Sequence, residues 1–308
     1  MSLTTRRILI TGATGKQGGA AIKALLANPP YFDYEILALT RKTTSSSAKA
    51  LASLDRRVIL IEGNLHDSEA IFNKAGGVGS IWGVFLVTFP ELKSKDKEYE
   101  AKQGINLVDA AIENKVKHFV FTSVDRGGND KSEVNATYVP HFISKYKVEK
   151  HLKEKTRGTE MTYTILRPTA FMDNLTPNAA GKIFAATWHT LGDKPLQLVA
   201  VKDIGVFAAL AFAKSDTDDY KNTAISLAGC DLTQAQAEEI FWNVLGRPMP
   251  RTYDFVSDLL CYMVPEVGTM FKWFKELGYG SDLAQCRRLN ENMLDFEGYL
   301  REESGFRR

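Results

Sequence analysis

Two residues one helical turn apart, His141 and Lys145 in the stretch PHFISKYKVEK (residues 140–150), could place a proton-moving group and a positive charge on one helix face, looking into the same cleft. An imidazole can donate a proton to a developing alkoxide. Near the start of the chain, GATGKQGG (residues 12–19) carries Gly12, Gly15 and Gly18 at three-residue spacing. The first glycine allows a tight turn, the second lets the backbone approach a pyrophosphate, and the third lets a helix pack closely on a strand. The helix N-terminus then meets the phosphates with free N–H groups and a partial positive charge. The chemistry implied is dinucleotide binding, with Thr14, Lys16 and Gln17 among the loop contacts. The bland alternative is a strand-turn-helix with incidental glycines.

The elements needed to position these residues are legible in the pattern. RILIT (7–11), EILALT (35–40), RVILIEG (57–63), IWGVFLVT (81–88), KHFVFTS (117–123) and MTYTILRP (161–168) are apolar on consecutive positions, as strands covered on both faces should be. Helical stretches lie between them. One follows Gly18 and stops at Asn28-Pro29-Pro30. Another is YEAKQGINLVDAAIE, with Ile105, Val108 and Ile112 on one face. This alternation predicts an α/β fold, a Rossmann-type doubly wound parallel sheet. The rhythm changes after Pro168. The organisation expected is a nucleotide-binding domain over 1–168 and a smaller, mostly helical domain over 169–308, with some segments of the latter returning to the sheet. Its strand-like runs are KPLQLVAV (194–201) and TAISLAG (223–229), and its tail is rich in helix-forming sequence ending near Tyr299.

The strand ends refine the ligand. After the second strand stand Arg41 and Lys42, where a cofactor without a 2′-phosphate would want Asp or Glu for its ribose hydroxyls. An arginine fork suits a 2′-phosphate, so the cofactor read here is NADP(H). The alternative is a solvated strand-end charge. Asn64 and Leu65 follow the third strand, where such folds cover the adenine. Thr88, Phe89 and Pro90 follow the fourth, beside the pyrophosphate or the nicotinamide ribose. RGGNDKSEVN (126–135) reads equally as a mobile lid or an ordinary surface loop. MFKWFKELG (270–278) reads as domain core rather than a partner-binding face, and KSKDKEYEAK (93–102) as a solvated helix start.

Composition narrows the class. The 308 residues are 44% hydrophobic and 25% charged, with 39 basic and 37 acidic residues well mixed, which argues against direct nucleic-acid binding. No apolar run approaches the ~18 residues of a membrane span, and MSLTTRRILITG has no signal-peptide pattern. The expected location is the cytoplasm, with passive nuclear entry open to a chain of this size. Cys230, Cys261 and Cys286 are scattered, with no metal-ligand spacing among them or the histidines, so no metal is expected.

Taken together, GATGKQGG (12–19), TR (40–41), QGINLVDAA (103–111), HFVFTSV (118–124), HFISKYKVEKHL (141–152) and ILRPTAFMDN (165–174) resemble the NmrA-like family of atypical short-chain dehydrogenase/reductases. KDIGVFAALAF and SLAGCDLT extend the resemblance toward the C-terminus. It implies NADP(H) binding, with Lys145 at the nicotinamide ribose and Phe171, Met172, Asp173 and Asn174 lining the nicotinamide end. Some members are reductases. Others are redox-responsive regulators that bind a protein, such as a GATA-type transcription factor.

Ordinary reductases of this superfamily use Ser, Tyr and Lys. Ser123 and Lys145 stand at the Ser and Lys places, and His141 stands at the Tyr place. Three readings of His141 remain. It supports hydride transfer to an acceptor needing little acid help, such as a quinone, imine or activated alkene. Or catalysis is gone and the site senses cofactor. Or His141 packs at a helix start after Pro140. The functions expected are an NADPH-dependent reductase of a small organic molecule or, alternatively, a catalytically silent NADP(H) sensor regulating a protein partner, without direct contact to nucleic acid or membrane.

Overall fold

A computed structural model describes residues 5–27, 34–89 and 96–306. The chain divides into two compact units. The first comprises residues 1–123, 144–167 and 204–225, the second 124–143, 168–203 and 226–308.

The first unit is built on a seven-stranded sheet. Its strands are β1 (Arg6–Ile10), β2 (Tyr34–Thr40), β3 (Val58–Glu62), β4 (Gly83–Leu86), β5 (His118–Thr122), β6 (Thr162–Pro168) and β9 (Thr223–Leu227). Their order is β3-β2-β1-β4-β5-β6-β9, and β1 to β6 pair in parallel. The two-face apolar reading holds for β4 and β5, which are buried throughout. It fails for β3, whose pattern alternates toward exposure because it is the edge strand.

Helices α1 (Lys16–Ala27), α2 (Ser46–Ala52), α3 (Ser68–Lys74), α4 (Tyr99–Glu113), most of α6 (Pro140–Lys155) and most of α8 (Val201–Ala213) belong to this unit. Helix α1 begins two residues before Gly18, and the proposed stop at Asn28-Pro29-Pro30 lies outside the described residues, as does Pro90. Helix α4 buries Ala101, Gly104, Leu107, Val108 and Ala111. The face expected from Ile105, Val108 and Ile112 is therefore displaced, because small residues let α4 approach its neighbour. A methyl on Gly104 would stand 2.5 Å from a Val148 methyl of α6. Lys97 is exposed and Lys102 pairs with Asp96 at the solvated start of α4.

The second unit contains a small sheet of β7 (Ala170–Phe171), β8 (Leu196–Val199) and β10 (Cys230–Leu232), ordered β10-β8-β7. Its helices are α5 (Asn129–Val134), α7 (Ala179–His189), α9 (Gln234–Leu245), α10 (Asp254–Met263), α11 (Pro265–Glu276), α12 (Leu283–Leu289) and α13 (Phe296–Glu302). Phe271, Trp273 and Phe274 lie in its core, as expected of MFKWFKELG. The 126–135 stretch is more ordered than an ordinary surface loop. Arg126 is buried and donates to the carbonyls of Val124, Ser132 and Asn135, and α5 follows it. Buried Asp125 accepts the amides of Gly127, Gly128 and Gly280. Among the described residues, no helix is long and apolar enough to cross a membrane.

Candidate functional site

The strand order reverses around β1 and β4, and the carboxyl ends of strands flanking such a reversal form the ligand crevice of open α/β sheets. Thr11 ties the two ends together. Its N–H donates to Phe85 O at 3.0 Å, and its hydroxyl accepts from Val87 N at 2.7 Å.

The glycine loop leaves this junction. Gly12 takes φ +57°, a left-handed conformation that glycine adopts without strain, and a Cβ there would meet the Phe89 ring at 2.8 Å. Gly15 donates to Gly12 O at 2.8 Å and accepts from Gly19 N at 3.0 Å, so it closes the turn and opens α1 together. A Cβ on Gly18 would lie 2.3 Å from Gly12 O and 2.8 Å from Thr11 O, against backbone that cannot yield. Thr14, Gly15 and Lys16 are exposed, while Gln17 accepts the Thr122 hydroxyl at 2.5 Å. The result is a backbone cradle at a helix N-terminus, fitted to a pyrophosphate on its open side.

Arg41 and Lys42 are exposed just beyond β2. Glu62, paired in register with Thr40, takes the amide and hydroxyl of Thr43, both at 3.1 Å. These bonds hold its carboxyl below the usual range. Arg41 makes no ion pair among the described residues. The donor set thus fits a cofactor carrying a second phosphate near its adenine. Asn64 caps the turn after β3 by accepting His66 N at 3.1 Å, and the Leu65 side chain packs into the core.

After β4 the chain is clamped by α4. Gln103 bonds Phe89 from both sides, accepting its N–H at 3.2 Å and donating to its carbonyl at 3.4 Å. Phe89 is 46% exposed beside Gly12. The Thr88 hydroxyl donates to Glu100 Oε1 at 2.7 Å and accepts from Lys145 Nζ at 3.1 Å. Lys145 also lies 3.2 Å from Glu100 Oε1 and 5.7 Å from the Phe121 ring centre. Gly12, Phe89, Thr88 and Lys145 are thus gathered at one end of the sheet.

Ser123 is placed differently. Its buried hydroxyl donates to Glu149, whose carboxylate also takes the Arg167 guanidinium at 3.2 and 2.6 Å. In the second unit, His141 Nδ1 meets Glu266 Oε1 of α11 at 2.8 Å, and that bond holds the Glu266 carboxyl below its ordinary range. Met172 is fully buried in that unit's core. Phe171 is half-buried, Asp173 accepts Val201 N at 2.8 Å, and Asn174 is exposed. Glu100, Gln103, Glu149, Arg167 and Glu266 were not singled out from the sequence. Glu100 and Gln103 carried a signal, since polar residues three apart share a helix face with Gly104 and Leu107, which are buried.

The fold is a Rossmann-type doubly wound α/β sheet with a second, mostly helical part. The NmrA-like family model matches residues 4–300, and the chain belongs to that family. An NmrA-like family domain-containing oxidoreductase from Aspergillus hancockii is 35% identical over 155 residues, 47% of this chain and 43% of the relative. The match spans 43% to 52% of that relative and of three further fungal oxidoreductases of the family. Two solved structures share the fold. The triphenylmethane reductase of Citrobacter sp., complexed with NADP(H), has TM-score 0.70 and 19% identity, covering 95% of this chain and 98% of that one. The negative transcriptional regulator NmrA in complex with NAD has TM-score 0.71 and 18% identity, covering 97% and 95%.

Proposed function

We propose that this protein binds NADP(H) in its first unit and is an NADPH-dependent reductase of a small organic substrate. One observation carries the reading: a glycine cradle held open at a helix N-terminus, with Arg41 unpaired among the described residues beyond the neighbouring strand. In this reading the open N-terminus of α1 beside Gly15 receives the pyrophosphate and Arg41 the 2′-phosphate. Thr88, Phe89 and Lys145 serve the nicotinamide half. The bound cofactor supplies a hydride to the acceptor. The Ser123 hydroxyl directs its proton to Glu149, so the chemistry favours an acceptor needing little help from that group: a quinone, imine or activated alkene before an ordinary carbonyl. The oxidoreductase names of the fungal relatives support a redox role.

Calorimetric titration tests the cofactor assignment. NADP⁺ and NADPH should bind at least about tenfold (~1.4 kcal/mol) tighter than NAD⁺, and Arg41→Ala should abolish the difference. Failure of all three to bind would overturn the reading. Oxidation of bound NADPH across a quinone, imine, alkene and carbonyl panel then tests catalysis.

A second reading is favoured by the same Ser123–Glu149 bond and by His141 at the usual Tyr place: an NADP(H) sensor that regulates a protein partner such as a transcription factor. The sensor reading requires partner affinity to differ between cofactor states, because a ligand without preference shifts nothing. Indifference to cofactor would dismiss it.

A further inference from the structure

Helix α4 carries a carboxylate where a helix facing a sheet should be apolar. Glu100 is 4% exposed, and burying an ionised carboxylate is costly unless it is paired. Among the described residues it has two partners, both through Oε1: the Thr88 hydroxyl at 2.7 Å and Lys145 Nζ at 3.2 Å. Its other oxygen, Oε2, is buried and finds no hydrogen-bond partner among the described residues. A helix optimised for stability alone would place an apolar residue here, since replacing a buried ion pair by well-packed hydrophobic residues is often neutral or stabilising.

The backbone geometry that creates the arrangement is specific. Gly104 admits Val148 at a distance no side chain would tolerate. Glu100 lies one turn before Gly104, and Lys145 lies three residues before Val148, so the same close approach brings carboxylate and ammonium together. Gln103 holds the Phe89 backbone from the same helix turn. One turn of α4 therefore fixes Thr88, Phe89 and Lys145.

We infer that Glu100 is a positioning residue, holding the Lys145 ammonium and the Thr88 hydroxyl in the arrangement that receives the nicotinamide half of the cofactor. This rests on the NADP(H) reading above. The lysine has four rotatable carbons, and fixing it before the ligand arrives removes an ordering cost from binding. The adenine half depends on Arg41 and the glycine loop and is indifferent to Glu100.

The test compares NADPH with 2′,5′-ADP, which carries the adenine half alone, by calorimetry on wild type, Glu100→Gln, Lys145→Met and the double variant. Glu100→Gln and Lys145→Met should each weaken NADPH about fivefold or more, and the double variant by clearly less than the product of the two, since Glu100 acts chiefly through Lys145. All four should bind 2′,5′-ADP within about twofold of one another. A merely structural Glu100 would move both ligands together, and that result overturns the inference. So does unchanged NADPH affinity in Glu100→Gln, or effects that add in the double variant. Should Glu100→Gln fail to fold, Thr88→Val keeps the ion pair and removes its bridging hydroxyl. It should weaken NADPH about twofold or more and spare 2′,5′-ADP, and equal effects on both overturn the inference. Wild type binding neither ligand would bring down the NADP(H) reading and this inference with it. Wild type binding both, with Glu100→Gln unchanged, brings down this inference alone.

Discussion

Arg167 and Glu149 form a fully buried ion pair at 2.6 Å, and the hydroxyl of Ser123 donates into the same carboxylate. A residue at the place of a substrate-polarising serine is thus part of a charge network inside the first unit. Removing Arg167 as Arg167→Met should cost about 3–5 kcal/mol, because it strands a buried carboxylate. Ser123→Ala removes one of several bonds to that carboxylate and should cost only ~1–2 kcal/mol. Urea unfolding of the two variants measures the ranking. Equal losses would show that the hydroxyl matters to Glu149 as much as the guanidinium does, against this ranking.

Gly15 and Gly18 look equivalent in sequence and are not equivalent in the fold. A methyl at Gly18 collides with the Gly12 carbonyl at 2.3 Å, whereas at Gly15 it meets that oxygen at 3.1 Å and is otherwise open. Gly18→Ala should destabilise the protein by about 1–3 kcal/mol or more through overpacking. Gly15→Ala should unfold within about 1 kcal/mol of wild type, as a substitution at an exposed position usually does. Yet it should lose NADP(H) affinity by about tenfold or more, through steric exclusion of the pyrophosphate. Melting curves paired with calorimetry separate the two effects. Gly18→Ala matching wild type in stability would contradict the packing argument.

Much of the first unit was legible because its signals are local. Consecutive apolar residues marked β1 to β6, and the glycine spacing marked the loop between β1 and α1. What escaped was decided by distant partners. Nothing near Ser123 in sequence announces that Glu149 and Arg167 will take its hydroxyl, and the face of α4 was misjudged because Gly104, not an isoleucine, sets its packing. Helix α12 escaped because LAQCRRL lacks apolar periodicity. Its signal was Asp282, which caps the helix by accepting the amides of Ala284 and Gln285.

The order of the 126–135 stretch is likewise set by distant partners. Two glycines and many polar groups suggest mobility, but the carboxylate of Asp125 collects the amides of Gly127, Gly128 and Gly280 and the hydroxyl of Ser226. The glycines are required by backbone at φ +105° and +93°. Hydrogen exchange should therefore find the amides of Gly127, Gly128 and Gly280 protected together, and Asp125→Ala should release all three. Rapid exchange at Gly127 and Gly128 in wild type, with Gly280 protected, would restore the lid.

Asp203 makes stability depend on pH in the direction opposite to an ordinary surface carboxylate. It accepts Leu294 N at 3.0 Å and Asn290 Nδ2 at 3.2 Å, within the second unit. Burial pushes its pKa from 3.8 up to about 7, against the smaller opposing effects of the Leu294 amide and the Lys202 charge. A raised folded-state value means that, between roughly pH 4 and pH 7, the folded protein keeps a proton that the unfolded chain releases. Stability is thus lost as pH rises through that window, and the full cost is reached above it. The difference between wild type and Asp203→Asn cancels other titrating groups. Across pH 4 to 8, wild type should lose on the order of 2–4 kcal/mol relative to the variant. Unfolding midpoints in urea at several pH values supply the measurement. If wild type instead gains on Asp203→Asn as pH rises, Asp203 is held ionised by its two donors and by Lys202, and its burial is fully compensated.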